Sequence, residues 1–391
     1  MVPSAELPPG FLSACSNVLN PSSPCSTVGL VVNVGTRWRL VRVIRCSLLF
    51  IAILAAATRV ATQNFGRPLA RPIRVEPRDW PDLVGRVGPY GGIKTPDDAR
   101  RMLADGLRLA VLSGTSSDVL KTLEDAGAKR IDTRLWSLLL EVCRRQYDIE
   151  TAARQPLACV VSTMDQDLIA TQASTYLRQV ERDPALVGYW TLDDYPHGDV
   201  TATLQRFRDL VQQSNTRSGF ERPTLCGVGG QLDFKRSTDD RSFSLDRRYT
   251  DQALQNVSPA GCDLVAPYFY GIASTDDARL IDWSMRELLP YFLRALRARG
   301  YDRPSQVMLP IAHAFSSHAA GSASYYVTPN PDDVATQMQA YCESGAMSIL
   351  FFTWQSADAD RSYVNDATLR EGVQKGRASC TQVWRTRSPV P

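Results

Sequence analysis

The sequence predicts an α/β chain folded as a single (β/α)8 TIM barrel. Eight short apolar runs alternate with longer amphipathic stretches over about 290 residues, close to the size of such barrels. The amphipathic stretches open on helix-capping residues and several close near a glycine, as at Gly106, Gly127, Gly300 and Gly345. No glycine-rich phosphate loop follows the first run, so a doubly wound sheet, which would also alternate strand and helix, lacks its main support.

Taken in order, the chain begins with a stretch over 1–40, rich in Ser, Pro and Asn, that resembles neither a domain nor a signal and is expected to be a non-structural extension. Translation is expected to begin near Val41 or Val43. Arg37, Arg39, Arg42 and Arg45 precede the apolar run Cys46–Ala57, which ends in small residues. A basic segment, a short apolar core and a small-x-small site read as a secretory signal peptide over 41–61. The run is short of the roughly 20 apolar residues that span a bilayer, so the chain meets a membrane only through this segment if it stays uncleaved. Residues 62–82 hold four prolines and read as an extended lead-in.

The barrel is expected over 83–378, with a tail over 379–391. Its strands are expected at Val84–Tyr90, Leu107–Leu112, Ala128–Ile131, Val187–Leu192, Thr224–Val228, Leu264–Tyr270, Val307–Ala312 and Ser348–Thr353. Thr95-Pro96-Asp97-Asp98 and Ser116-Ser117-Asp118 open the first two helices, with proline favoured in a first turn. Further helices are expected over Asp165–Val180, Val200–Ser214, Asp276–Arg299 and Pro331–Ser344. The segment 138–165 exceeds what one βα unit needs, and Leu157–Val161 is a candidate extra strand.

The balance of 44 basic against 41 acidic residues gives a formal charge of +3, too weak a field to argue for nucleic acid. Lysine occurs only at Lys94, Lys121, Lys129, Lys235 and Lys375, so arginine carries most positive charge. Scattered among Asp and Glu, these arginines read as compositional bias better than as a phosphate or carboxylate site. Of nine cysteines, Cys15, Cys25 and Cys46 precede the mature chain, leaving 9 − 3 = 6 for an oxidising compartment. The sequence-near pairs Cys143–Cys159 and Cys342–Cys380 are the expected disulfides.

In a TIM barrel the working residues sit at or just past the carboxyl ends of the strands. Those positions hold Tyr90, Asp132 and Arg134, Asp193 and Asp194, Gln231 and Asp233, Tyr268 and Tyr270, His313, and Trp354 and Gln355. Aromatic rings stack on apolar sugar faces, while Asp, Gln and Arg bond hydroxyls, so this set suits carbohydrate. The histidines His197, His313 and His318 also fall near this rim, but no H-x-H, H-E-x-x-H or C-x-x-C spacing supports a metal. No G-x-S-x-G elbow supports a serine hydrolase, and no cofactor is expected.

The stretch Asp183-Pro-Ala-Leu-Val-Gly-Tyr-Trp190, running on to Asp193-Asp194-Tyr195-Pro196, resembles the fourth-strand "GWY…DEP" signature of glycoside-hydrolase-like TIM barrels. Tyr341–Trp354 is similar to the last helix and strand of those enzymes, ending in a Trp under the sugar site. The resemblance extends over roughly 84–375 and implies hydrolysis by two carboxylates. It implies Asp194 as the acid, where the family has Glu, with Asp193 before it. It also implies a nucleophile near the end of the seventh strand, where Val307–Phe315 has no Glu. Asp233, Asp132 or Asp263 are the candidates left, and Asp263 stands at the start of its strand, toward the other rim. Two readings follow: an exported glycoside hydrolase acting on a poly- or oligosaccharide, or a non-catalytic barrel binding a glycan or other surface ligand. A third, an envelope-structural protein, predicts a closed rim.

Overall fold

The computed structural model describes residues 80–387 except 113, 147–165, 194–199, 230–233, 237–242, 246–250, 252–253, 255, 271–277, 302–307, 318–325, 327 and 357–358. All of them belong to the compact unit that includes Pro72–Pro391. The extension, the signal segment, the candidate strand Leu157–Val161 and Cys159 of the pair Cys143–Cys159 lie outside the described residues.

Each of the eight expected apolar runs overlaps a barrel strand. They are β1 (Val87–Pro89), β2 (Leu109–Leu112), β3 (Lys129–Asp132), β4 (Leu186–Leu192) and β5 (Thr224–Gly229), then β8 (Leu264–Tyr268), β9 (Ile311–His313) and β10 (Ile349–Phe352). All pair in parallel, in the order β1-β10-β9-β8-β5-β4-β3-β2. A parallel bridge between Tyr90 and Val111 joins the two ends, and the Gly91 N–H donates to the Val111 carbonyl at 2.9 Å. That bridge brings the two ends of the sheet together and leaves the barrel nearly closed. Between β5 and β8 a short antiparallel hairpin is inserted, β6 (Phe234–Arg236) with β7 (Phe243–Leu245), which no apolar run foretold.

The helices are α1 (Pro96–Ala104), α2 (Ser117–Asp125), α3 (Arg134–Gln146), α4 (Gln166–Val180), α5 (Thr201–Ser218), α6 (Ala278–Trp283), α7 (Leu289–Ala298), α8 (Pro331–Glu343) and α9 (Ala367–Arg387). Thr95 and Asp98 form a full capping box on α1, as Asn330 and Asp333 do on α8. The single helix expected over Asp276–Arg299 is interrupted by a π turn at Ser284–Leu288. Pro290 explains it: proline donates no backbone bond, and its ring would clash with the carbonyl four residues back. The helix α3 fills the first part of the over-long 138–165 segment, and its Leu135, Leu138 and Leu139 are buried.

The tail expected over 379–391 is corrected over most of its length. The helix α9 continues to Arg387, and Cys380 bonds Cys342 of α8. A second disulfide, Cys226–Cys262, ties β5 to the residues before β8.

Two buried arginines fix the amino-terminal end of the barrel. Arg222 donates to the carbonyls of Leu186 at 2.9 Å, Glu181 at 2.9 Å and Asp183 at 2.6 Å, meeting acceptors that the end of α4 leaves open. Arg208 of α5 pairs with Asp263 at 2.7 Å, and the Thr224 N–H and hydroxyl both donate to the same carboxylate at 3.0 Å. Removing one partner of such a buried pair costs about 3–5 kcal/mol. Asp263 therefore serves the amino-terminal end of the barrel and not the rim at the carboxyl ends of the strands.

Candidate functional site at the carboxyl end of the barrel

The strand ends bring part of the expected set together. Tyr90 extends β1 and its hydroxyl donates to the Asp193 carboxylate, one residue past β4. Strands β1 and β4 are not neighbours in the sheet, so this bond crosses the barrel. The Tyr90 ring meets Trp190 edge-on at 4.9 Å and lies 6.1 Å from Phe352 at the end of β10. Trp190 is fully buried, and a Cβ on Gly227 of β5 would approach its ring to 2.7 Å. Glycine at 227 thus makes the room that the indole fills. Among the described residues the Trp190 indole N–H has no acceptor.

Opposite Asp193 the rim is aromatic. Tyr270 stacks on Tyr268 at 5.2 Å and touches Phe315 edge-on at 5.2 Å, Tyr326 at 5.8 Å and Phe352 at 6.0 Å. Tyr268 is buried and Tyr270 half-buried, so Tyr270 is the more available of the two. His313 is fully buried, its Nε2 at 2.9 Å from the Phe315 carbonyl and its backbone N–H donating to Gln337 at 2.7 Å. Burial lowers its pKa to about 3, against a small opposing effect of the Phe315 carbonyl. The imidazole is neutral near pH 7, its Nε2–H donating to that carbonyl, and it is a polar part of the wall, not a cation.

Four expected site residues have other partners in the structure. Trp354 is buried and lies flat against Tyr363, with ring centroids 5.1 Å apart and planes at 22°. Its indole N–H donates to Asp98 at 3.2 Å, and Gln355 donates to the same carboxylate at 3.3 Å. Both residues therefore lock the end of β10 to the cap of α1 and offer no platform to a sugar. Asp132 pairs with Arg130 at 2.6 Å and accepts from the Arg134 backbone N–H at 2.8 Å. Arg130 in turn pairs with Asp183 at 2.7 Å. Burial, followed by the Asp132 charge, pushes up the pKa of the Tyr176 phenol on α4. Asp132 thus faces the layer between barrel and helices. The Arg134 guanidinium is held along α3 by Glu141.

Asp194, Gln231, Asp233, His197 and His318 lie outside the described residues. Asp98, Asp333 and Asp366, which stand at helix starts on this end, are each engaged in a cap. Sequence reading missed Phe315, Tyr326 and Phe352. Phe352 and Phe315 carried a signal, as apolar residues at the ends of β10 and β9, whereas Tyr326 stands in a polar loop that gave none. Among the described residues no cluster of His, Cys, Asp or Glu could hold a metal ion, and no helix is long and apolar enough to cross a membrane.

No family model matches the chain, and no curated protein does. The solved structures to which it is similar include glycoside hydrolases. An endo-1,4-beta-mannanase from Rhizomucor miehei is 11% identical with a TM-score of 0.44, over 76% of this chain and 95% of that one. A Bacteroidetes-affiliated GH5 cellulase linked with a polysaccharide utilization locus is 14% identical with a TM-score of 0.42, over 82% and 96%. A beta-glucuronidase from Ruminococcus gnavus, in complex with D-glucuronic acid, is 9% identical with a TM-score of 0.40, over 74% and 45%. The chain spans about half the length of the beta-glucuronidase structures it matches, between 45% and 50%. Likeness at this level carries no argument about chemistry, and the barrel rests on the strand register above.

Proposed function

We propose that the chain is an exported glycoside-hydrolase-like barrel that takes a poly- or oligosaccharide at the carboxyl end of its strands. The observation that carries this reading is the Tyr90–Asp193 bond across the mouth, facing the Tyr270, Phe315 and Tyr326 wall. A sugar ring has apolar faces and a polar edge, and this arrangement offers rings to the one and a carboxylate to the other. The buried Trp190 N–H below the rim, without an acceptor among the described residues, adds a donor for a ligand hydroxyl or a bridging water.

In this reading Asp194 delivers its proton to the departing glycosidic oxygen, and a second carboxylate attacks the anomeric carbon or takes a proton from water. Asp193 and Asp233 are the proposed partners. Tyr90 acts on Asp193 as a positioning residue, fixing one carboxylate oxygen by a hydrogen bond to a charged acceptor. Retaining chemistry needs the two carboxyl groups about 5–5.5 Å apart, and inverting chemistry about 6.5–9.5 Å.

One observation favours the non-catalytic alternative. Asp132 is turned into the helix layer and His313 is buried and neutral, so neither supplies the second group. Reducing-sugar release from a polysaccharide panel, measured on the wild type and Asp194→Asn, separates the readings. Release by the wild type and its loss in the variant support hydrolysis. Silence from both, with polysaccharide retained in affinity electrophoresis, supports a binding barrel, and silence with no retention overturns both.

A further inference from the structure

The arginines that are scattered along the sequence converge at the other end of the barrel. Arg86 precedes β1 and Arg108 precedes β2, while Arg377 and Arg385 lie on α9. Together with Gln374 and Thr381 they line a cavity of about 580 Å³ with no Asp or Glu among the described residues of its wall.

Their donors are only partly used. Arg108 donates from Nη1 to the Leu103 and Leu107 carbonyls at 2.8 and 2.9 Å, and Arg377 from Nη1 to the Asp105 carbonyl at 2.8 Å. These bonds satisfy carbonyls at and just past the end of α1 and orient the two guanidinium groups, each of which has five N–H donors. Arg385 is exposed and has no hydrogen bond or ion pair with a described residue. Arg86 donates to the Asp82 carbonyl and, at 3.4 Å, to the Arg108 carbonyl, and its carboxylate partner among the described residues is Asp82 at 3.8 Å, shared with Lys129 at 3.2 Å. Burial, and the Arg108 charge beside it, lower the Arg86 pKa although Asp82 opposes them. A second cavity at this end, of about 630 Å³, makes the contrast clear: its Arg222 spends its donors on backbone carbonyls.

We propose that the cavity between Arg86, Arg108, Arg377 and Arg385 binds a multiply charged tetrahedral oxyanion, a phosphate or sulfate group, at the end of the barrel opposite the carbohydrate mouth. Converging planar guanidinium forks suit such a group, and the repulsion among these like charges, which Asp82 offsets only at Arg86 among the described residues, is relieved when an anion enters.

Calorimetric titration of the full chain at fixed ionic strength tests this, with inorganic pyrophosphate, orthophosphate and sulfate as separate probes. Saturable one-site binding is expected for at least one anion. Pyrophosphate tighter than orthophosphate identifies a diphosphate site, and equal binding of orthophosphate and sulfate a single-oxyanion site. Arg385→Ala is expected to weaken binding about tenfold, by loss of one charge-assisted contact, and Arg385→Glu to remove it. Arg385 supports no described contact, so neither variant endangers the fold. Arg294→Ala, an exposed arginine on α7, is the control and is expected to bind as the wild type does. Absence of saturable binding for all three anions, or an equal loss in Arg294→Ala, overturns the proposal.

Discussion

The Tyr90 hydroxyl donates to the Asp193 carboxylate, joining the first and fourth strands across the mouth of the barrel. The two strands are not paired, so the bond holds no sheet register. What it fixes is the orientation of a carboxylate at the rim, above the Trp190 indole.

Replacing Tyr90 with Phe removes that donor and keeps the ring contact with Trp190. A hydrogen bond to a charged acceptor contributes about 1.5–3 kcal/mol, so glycoside hydrolysis or sugar affinity is expected to fall about tenfold or more. The melting temperature is expected to fall by a few degrees, because such a bond also contributes to fold stability. Unchanged activity in Tyr90→Phe would remove the positioning role.

Trp354 packs on Tyr363 and donates to Asp98, so Trp354→Phe is expected to cost about 1–2 kcal/mol of stability and leave sugar binding intact. Burial alone would raise the Asp98 pKa, but bonds from Trp354, Thr95 and backbone N–H groups outweigh it and hold the carboxyl below its ordinary value. Stability from such a group is present above the ordinary carboxylate range and is lost as pH falls through the lowered value. Trp354→Phe is therefore also expected to weaken the acid-dependent part of unfolding below about pH 4. Denaturant titrations of both proteins at two pH values check this, and a loss of sugar binding at full stability would contradict it.

Histidine behaviour supplies a separate window. His313 stays neutral down to about pH 3 when folded, while an unfolded histidine protonates near pH 6.5. Between these values the unfolded chain binds the extra proton, so stability declines as pH falls from about 6.5. His313→Gln is expected to flatten the dependence of melting temperature on pH between about 6.5 and 4. A His313 ring resonance titrating with a midpoint near 6.5 in the folded protein would refute the assignment.

The Cys342–Cys380 bond closes a separation of 38 residues between α8 and α9. A loop of that length gives about 3–4 kcal/mol by chain entropy. The double replacement Cys342→Ser with Cys380→Ser is expected to lose about that much in urea unfolding and to make the end of α9 accessible to protease. Equal stability of the two proteins would show that packing of α9 suffices.

Strand positions were legible because buried parallel strands are continuous apolar runs, and the first helix cap was legible from Thr95–Asp98. Side-chain direction was less so. Arg130 and Asp132 share one face of β3, and only the partners Asp183 and Tyr176, distant in sequence, show that this face meets helices. Trp354 follows a strand that ends at Phe352, so period-2 alternation no longer decides where it points. The convergence of Arg86 with Arg377 depends on α9 returning beside β1, which no local pattern encodes.

The most direct measurement of the central claim is reducing-sugar release by Asp193→Asn beside the wild type, at matched melting temperature. The account predicts release by the wild type on at least one polysaccharide and a loss of at least tenfold in the variant. Equal release by both proteins would contradict a working role for the Tyr90–Asp193 rim.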